Sequence, residues 1–201
     1  MKKKWVLIPI IALLLFVLHF FRDPEREIPL TGVVSPADGK IIAIEPVKSG
    51  EIPVTEKNGE KIFLHDLAGY ITEDCHLVAI FMSPFDVHVN RSPVKGTVSR
   101  LIYTEGEFHM ATSLALTNER NAIIIDSDIR VIVIQIAGKF ARRIQCFVHE
   151  GCDVEKGERV GRIILGSQVV LILPRTYSVI VEVGTHVKAG ESIIALPPPH
   201  T

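Results

Sequence analysis

Cysteine and aromatic residues are scarce in this 201-residue chain. Its three cysteines, Cys75, Cys146 and Cys152, are odd in number and include no Cys-x-x-Cys pair, which argues against a disulfide framework or a zinc site. Aromatic residues make up 6% of the chain and its net charge is −1. The basic stripe with interleaved aromatic side chains that is typical of nucleic-acid-binding proteins is therefore missing. We expect reduced cysteines, no metal and no nucleic-acid partner.

Short runs rich in valine and isoleucine, separated by glycine and proline, predict a mainly β fold. Two phrases recur in the chain. Residues 35–41 and 92–98 share the pattern S-P-x-x-G-x-[IV], and residues 151–160 and 184–193 share G-x-x-V-x-x-G-E-x-[IV]. Such internal repeats indicate a barrel built from two similar β halves. The second phrase resembles the hammerhead turns of biotinyl and lipoyl domains, which are flattened β-barrels also called barrel-sandwich hybrids.

The amino terminus has a different character. Three lysines precede an apolar run from Trp5 to Phe21, which only Pro9 and His19 interrupt. A helix of this length reaches roughly 25 Å, the short end of a bilayer span, and no small-residue signal-peptide cleavage site follows it. We therefore predict a retained membrane anchor over residues 1–27 before a domain over residues 28–201. Whether the anchor crosses the cell membrane or lies in it monotopically is left open; we expect the domain on the cytoplasmic face.

Two apolar, strand-like runs meet at Gly166 and Ser167, which form the only Gly-Ser pair in the chain. The residues alone favour a bulge or tight corner, because glycine tolerates backbone angles that other residues avoid. A second interpretation makes the peptide bond a substrate, with the Ser167 hydroxyl attacking the Gly166 carbonyl. The choice between the two depends on what the rest of the chain supplies.

Six motifs in order decide that choice. Together they resemble the phosphatidylserine decarboxylases of the short, archaeal-type subfamily, over nearly all of the chain after the apolar run. The motifs are Phe21-Arg-Asp-Pro-Glu-Arg26, Ser35-Pro-Ala-Asp-Gly39, Phe81-Met-Ser-Pro-Phe-Asp-Val-His-Val-Asn-Arg-Ser-Pro93, Asn118-Glu-Arg-Asn121, Gln135-Ile-Ala-Gly138 and Gly166-Ser167.

The resemblance implies a proenzyme that cuts itself between Gly166 and Ser167. Attack by the serine gives an ester, and elimination and hydrolysis leave a covalent pyruvoyl group on the new amino terminus. The products are a chain of residues 1–166 and a chain of residues 167–201, which remain together as a heterodimer. The pyruvoyl carbonyl then forms a Schiff base with the serine amine of phosphatidylserine and acts as an electron sink while carbon dioxide leaves, giving phosphatidylethanolamine.

The resemblance also assigns roles to particular residues. A serine nucleophile needs a base within hydrogen-bonding reach, and the matching family positions are His88 as that base and Asp38 as its orienting partner. His88 is also the candidate that returns a proton to the substrate. Longer relatives carry a second histidine where this chain has Arg91, so that His88 does both tasks here or a group such as His109 helps.

Other positions are assigned less directly. Gln168 stands where larger relatives have a small hydroxyl residue. The neighbouring Arg142 and Arg143 are either a solvated face or an anion site, since arginine matches phosphate and carboxylate well, and we take them as candidate substrate-binding residues. We expect the segment from Asn118 to Asn121 to be a polar turn.

Three further alternatives follow from the sequence. The substrate could be archaetidylserine, whose headgroup chemistry is the same. The chain could instead be a membrane-anchored carrier or adaptor with a lipoyl-like barrel, but the Met-Lys-Met and Asp-Lys-Ala contexts of a modifiable lysine do not occur. Association of several copies is left open.

Overall fold

The structure is a computed structural model that describes residues 2–57, 60–105, 119–138, 143–164 and 167–199. It confirms the prediction of a mainly β protein that begins with an apolar helix. Helix α1 covers Lys2–Phe20. Among the described residues, no helix combines the length and the hydropathy that crossing a bilayer requires.

Sixteen strands and one short 3-10 helix, His65–Tyr70, follow in the described residues. The strands are β1 (Val33–Val34), β2 (Gly39–Val47), β3 (Val54–Lys57), β4 (Glu60–Phe63), β5 (Cys75–Met82), β6 (Val89–Arg91), β7 (Gly96–Thr104), β8 (Arg120–Asp126), β9 (Arg130–Ile136), β10 (Ile144–Cys146), β11 (Asp153–Val154), β12 (Arg159–Ile163), β13 (Ser167–Pro174), β14 (Ser178–Val179), β15 (His186–Val187) and β16 (Ile193–Leu196).

An eight-stranded antiparallel sheet in the order β11-β7-β8-β9-β13-β5-β2-β15 forms the centre of the fold. Two three-stranded sheets, β1-β16-β14 and β10-β12-β6, and the hairpin β3-β4 complete it. Strand β13 lies between β5 and β9 and is buried along its whole length. Residues on its two faces alternate between two hydrophobic cores.

The two cores cover opposite faces of the large sheet. Val169 and Leu171 belong to the core that also contains residues of β1, β12 and β16. Val170 and Ile172 belong to the core closed by the β3-β4 hairpin and the 3-10 helix. Because both faces of β13 are covered, its first residue, Ser167, is held in the interior of the protein.

The sequence repeats correspond to structural repeats. The Gly190 amide donates to the Ser35 carbonyl and the Gly157 amide donates to the Ser92 carbonyl, each at 2.8 Å. Gly157 and Gly190 have φ angles of 83° and 74°, which only glycine adopts without strain. A Cβ at Gly157 would also collide with Ile28, and one at Gly190 would lie only 3.0 Å from the side chains of Ile28 and Arg91. The two halves are thus joined by the same pair of contacts, as the repeats predict.

Candidate active site

Ser167 begins β13 and is fully buried. Its backbone pairs with Met82 of β5, and alternation along the strand places its side chain on the same face as Val169. The hydroxyl oxygen of Ser167 is buried and has no hydrogen-bond partner in the described part of the chain. A buried hydroxyl without a partner is costly. A serine hydroxyl in this state is free to donate its proton to a base and to act as a nucleophile.

His88 lies immediately before β6 and is 1% exposed. Its backbone carbonyl accepts a hydrogen bond from the Ile163 amide at 3.2 Å. Ile163 is the last residue of β12, the strand that precedes Ser167 in sequence. The structure therefore anchors His88 at the end of β12, the strand that comes before β13 in the chain.

The hydrogen bonds of the His88 ring define its tautomer. Nδ1 lies 2.9 Å from the Asp86 carbonyl oxygen. A carbonyl only accepts, so Nδ1 carries the hydrogen in the neutral ring and the lone pair lies on Nε2. Nε2 is buried and has no partner in the described residues. His88 thus offers an unused acceptor, and the Ser167 hydroxyl is an unused donor.

Burial lowers the pKa of His88 below its ordinary value of 6.5, and the charge of Arg22 acts in the same direction. The hydrogen bond to the Asp86 carbonyl and the charges of Asp86 and Asp38 oppose this shift. The burial effect is the largest, because desolvation disfavours the imidazolium. His88 is therefore neutral at pH 7 and able to accept a proton.

Asp38 is placed differently from the expected partner of His88. Its carboxylate accepts two hydrogen bonds from Arg26, at 2.8 and 2.9 Å, and one from the Ala189 amide at 2.8 Å. The ring hydrogen of His88 is donated to Asp86 instead. In this structure the Asp86 carbonyl orients His88, and Asp38 holds the segment that follows helix α1. A direct role of Asp38 in cleavage stays a prediction.

The segment from Asp23 to Arg26, here called the linker clamp, is tied to the barrel by ion pairs. Arg91 donates to Asp23, to the Pro24 carbonyl and to the Gly157 carbonyl, at distances of 2.9–3.0 Å. Arg159 donates to Asp23 and Glu25. Arg91 is thus engaged in holding this segment.

The clamp fixes the end of helix α1 over the site. The Phe20 ring lies 4.2 Å from the His88 ring and is 3% exposed. Phe16 contacts both Phe20 and Phe85, the latter at the tip of the loop after β5. The apolar residues of the helix that face outward are exposed: Ile8, Ile10, Ile11, Leu13, Leu14, Leu15, Val17 and Leu18.

Comparisons with known proteins identify the family of the chain. The family model described as phosphatidylserine decarboxylase matches residues 13–195. The chain belongs to the phosphatidylserine decarboxylase family.

Several named members of that family are similar over most of the chain. A phosphatidylserine decarboxylase proenzyme of Nitratidesulfovibrio vulgaris is 45% identical over 199 residues, which cover 95% of this chain and 82% of the relative. One of Chlorobium phaeobacteroides is 44% identical over 188 residues, covering 91% and 80%. A protein of Methanocaldococcus jannaschii, provisionally named an archaetidylserine decarboxylase proenzyme, is 39% identical over 199 residues, covering 96% of each chain.

Some residues assigned from the resemblance to the phosphatidylserine decarboxylases lie outside the described residues: Gly166, Arg142 and His109. Arg143 is exposed just before β10, and its backbone carbonyl accepts a hydrogen bond from the Ile164 amide at 3.0 Å. In the described residues no group of histidine, cysteine, aspartate and glutamate side chains could hold a metal ion.

A buried polar chain beside the site was missed by sequence reasoning. Asn121 donates to Gln135 at 3.0 Å, and Gln135 donates to Asn90 at 2.8 Å. The Asn90 amide lies 3.8 Å from the sulfur of Met82, the residue opposite Ser167. Arg120 and Asn121 are part of strand β8, so the expectation of a polar turn over residues 118–121 was wrong at those two positions. The sequence signal that could have predicted this chain of hydrogen bonds is Gln135, the one polar residue in the apolar run of β9.

Proposed function

We propose that this chain is a proenzyme that cuts itself between Gly166 and Ser167 and then decarboxylates a serine phospholipid at the membrane. One observation carries the proposal. In a member of this family, a buried serine hydroxyl and a buried histidine nitrogen, neither with a hydrogen-bond partner among the described residues, belong to neighbouring parts of one fold. The backbone of His88 is bonded to β12, and β13 begins with Ser167.

In the proposed maturation His88 Nε2 takes the proton of the Ser167 hydroxyl. The serine oxygen then attacks the Gly166 carbonyl carbon, the peptide C–N bond breaks as its nitrogen takes the proton back from His88, and an ester joins the two residues. Loss of the Ser167 α-proton to a base and elimination across the Cα–Cβ bond release the Gly166 carboxylate and leave a dehydroalanine. One water enters and one ammonia leaves as that group becomes a pyruvoyl. A positioned base contributes on the order of 10²–10⁴ in rate to such a step.

The two products would stay together because of the position of β13. After cleavage this strand begins the smaller chain, residues 167–201. It pairs with β5 from Ser167 to Pro174 and with β9 from Gln168 to Ile172. Both ladders connect the small chain to the large one, and both faces of the strand are buried. The heterodimer is therefore held by the central part of the sheet and its two cores.

The pyruvoyl group would supply an electrophilic carbonyl that withdraws electrons while the substrate's carboxylate is lost. The surrounding residues support this use. The apolar residues beside Ser167 exclude water, and His88 can hold a proton on Nε2 and return it to the substrate's α-carbon. The headgroups of phosphatidylserine and archaetidylserine are chemically the same, so both fit the proposal equally. Phosphatidylserine is the substrate that we test first.

Membrane attachment rests on the exposed apolar surface of α1. The residues from Ile8 to Leu18 would remain in contact with water unless lipid covers them, and an exposed apolar surface of this kind marks an interaction site. The helix ends at Phe20, which contacts His88. If lipid surrounds the helix, this end and the site beside it lie at the level of the headgroups. We propose that the domain sits on the cytoplasmic face of the cell membrane.

Intact mass and a denaturing gel of the purified protein test the proposal. We expect two chains, residues 1–166 and 167–201, the smaller of which resists amino-terminal sequencing until its carbonyl is converted to an amine. Ser167→Ala should give one uncut, inactive chain, and His88→Ala should leave mostly uncut protein. A single uncut chain that is active in lipid decarboxylation would refute the proposal.

A further inference from the structure

Most arginines at the junction of helix α1 and the barrel are neutralised by carboxylates. Arg26 pairs with Asp38 and Glu191, Arg91 with Asp23, and Arg159 with Asp23 and Glu25. Two arginines at the same junction, Arg22 and Arg162, have no carboxylate partner in the described part of the chain.

The contacts of Arg22 are with neutral groups. Its guanidinium donates to the carbonyl of His19 at 2.8 Å and to the carbonyl of Phe85 at 2.6 Å. These bonds hold the side chain between the end of α1 and the loop after β5, but neither partner carries a negative charge. Arg22 is close enough to His88 to lower the pKa of that residue.

Arg162 is also placed close to His88. It belongs to β12, and its backbone pairs with Val89, the residue after His88. Its guanidinium carbon lies 5.5 Å from the centre of the Phe21 ring, a cation–π contact that uses the face of the group. Its Nε is buried and has no hydrogen-bond partner in the described residues. A buried N–H of a charged group without an acceptor is unfavourable.

We propose that Arg22 and Arg162 form an anion subsite that binds the phosphodiester of the substrate headgroup beside His88. The inference rests on the proposed function and names the residues that recognise its substrate. A phosphodiester suits the site because guanidinium groups match phosphate oxygens in a bidentate fork. The carboxylate of the headgroup is lost in the reaction, whereas the phosphodiester stays and can hold the lipid from binding to product.

The position of the two arginines in the fold agrees with this ligand. Both contact the end of the apolar helix, Arg22 through His19 and Arg162 through Phe21. The end of a lipid-embedded helix lies at the level of the headgroups, where phosphates are found. The same chemistry is offered by the phosphates of surrounding lipids, so the experiment must separate binding of the substrate from binding of the bilayer surface.

The test measures kcat and KM for dihexanoylphosphatidylserine, used below its micelle concentration so that no lipid surface is present. At pH 8, above the ordinary histidine pKa of 6.5, His88 is neutral with or without Arg22. For Arg162→Gln and Arg22→Gln at that pH we expect normal self-cleavage, a KM raised on the order of 10- to 100-fold and a kcat within about 2-fold of the wild type, since charge-assisted hydrogen bonds have that magnitude. Arg162→Lys should recover part of the loss, because it keeps the charge without the fork. Inorganic phosphate should compete with substrate in the wild type and much less in Arg162→Gln.

The matched control is Arg175→Gln, which removes the same charge from an exposed residue beyond the opposite end of β13; its KM should not change. Because a variant that does not mature gives no kinetics, binding of glycerophosphoserine to uncut Ser167→Ala protein, with and without Arg162→Gln, provides a readout without cleavage.

Unchanged binding and unchanged KM for both arginine variants would overturn the subsite. Binding to phosphatidylglycerol vesicles measures contact with the bilayer surface. If the arginine variants were impaired only in this vesicle binding, the arginines would belong to the bilayer surface and the subsite would likewise be overturned. A wild-type chain that neither cuts itself nor decarboxylates serine phospholipids would instead refute the proposed function.

Discussion

The ring of Phe20 lies 4.2 Å from the ring of His88 at an interplanar angle of 36°. Phe20 ends helix α1, and His88 is the proposed base of the barrel domain. The apolar helix therefore contributes one wall of the site in addition to any role at the membrane. The contact covers a face of the imidazole and removes it from water, the main cause of its lowered pKa.

Phe20→Ala should raise the pKa of His88 toward its ordinary value, because water then reaches the ring. Self-cleavage requires neutral His88, so its loss at acid pH should move to a higher pH than in the wild type. Cell-free translation of the full chain at a series of pH values, followed by gel analysis, measures this. Phe63→Ala removes an equal apolar side chain from the exposed surface of the β3-β4 hairpin, away from that contact, and should keep the wild-type profile. A slower reaction with an unmoved profile would show that Phe20 is only a packing residue.

The lowered pKa of His88 also makes stability depend on pH. The unfolded chain binds a proton below about 6.5, whereas folded His88 binds it only at lower pH. Its contribution to stability is thus complete above pH 6.5 and is lost as the pH falls toward the folded pKa, with a slope of at most about 1.4 kcal/mol per pH unit. Urea unfolding of Ser167→Ala between pH 7.5 and 5 should show this slope in excess over Ser167→Ala/His88→Gln. Parallel curves would contradict the assignment.

Asp38→Asn should destabilise the protein by about 3 kcal/mol, because it leaves the buried Arg26 with only Glu191 as a partner. The side chains of Arg26 and Asp38 are 6% and 10% exposed. We expect Arg26→Gln/Asp38→Asn to be more stable than the sum of the two single changes predicts. Urea unfolding in the uncut Ser167→Ala background measures both.

The double variant Arg26→Gln/Asp38→Asn also distinguishes between two possible roles of Asp38 in cleavage. If Asp38 acts only through the linker clamp, the double variant should recover cleavage along with stability. A double variant that is stable but uncut would show that the carboxylate takes part in the reaction itself.

Thr55→Val should cost about 1–3 kcal/mol, because it removes the acceptor of the buried Gln168 amide, which donates to Thr55 at 2.7 Å. The Gln168 carbonyl oxygen already has no partner in the described residues. Thr55→Val/Gln168→Met should therefore be close to the wild type in urea unfolding. Alternation along β13 puts Gln168 on the face opposite Ser167, so self-cleavage should be preserved in the double variant. Loss of cleavage there would mean that Gln168 helps to shape the scissile bond.

Much of the fold was predictable because its signals are local. The valine- and isoleucine-rich runs specified strands, and the repeated glycines at 157 and 190 specified two equivalent turns, which the positive φ angles confirm. The ordered motifs identified the family, which the family match confirms. The apolar composition of residues 5–21 specified a helix whose surface is exposed.

The pairings inside the site were not predictable in the same way. Asp38 was expected to orient His88; its carboxylate is hydrogen-bonded to Arg26, and the ring of His88 donates to the Asp86 carbonyl. Nothing in the sequence near Arg91 indicated that its side chain holds Asp23. Each of these contacts joins residues that are distant in the chain or that compete for the same partner.

The sequence by itself determined which residues form strands, where the apolar helix lies and which serine stands at the proposed cleavage point, because these depend on local pattern and on the order of motifs. Only the tertiary structure decided which carboxylate meets which arginine, which ring covers His88, and that Arg22 and Arg162 have no carboxylate partner in the described residues. The physical reason is that burial and charge pairing are properties of a packed interior, where each group takes the partner that chain closure brings within a few ångströms. Gly166 and Ser167 are adjacent in the sequence, but the environment proposed to cut the bond between them comes from β5, β12 and the end of a helix almost 150 residues earlier.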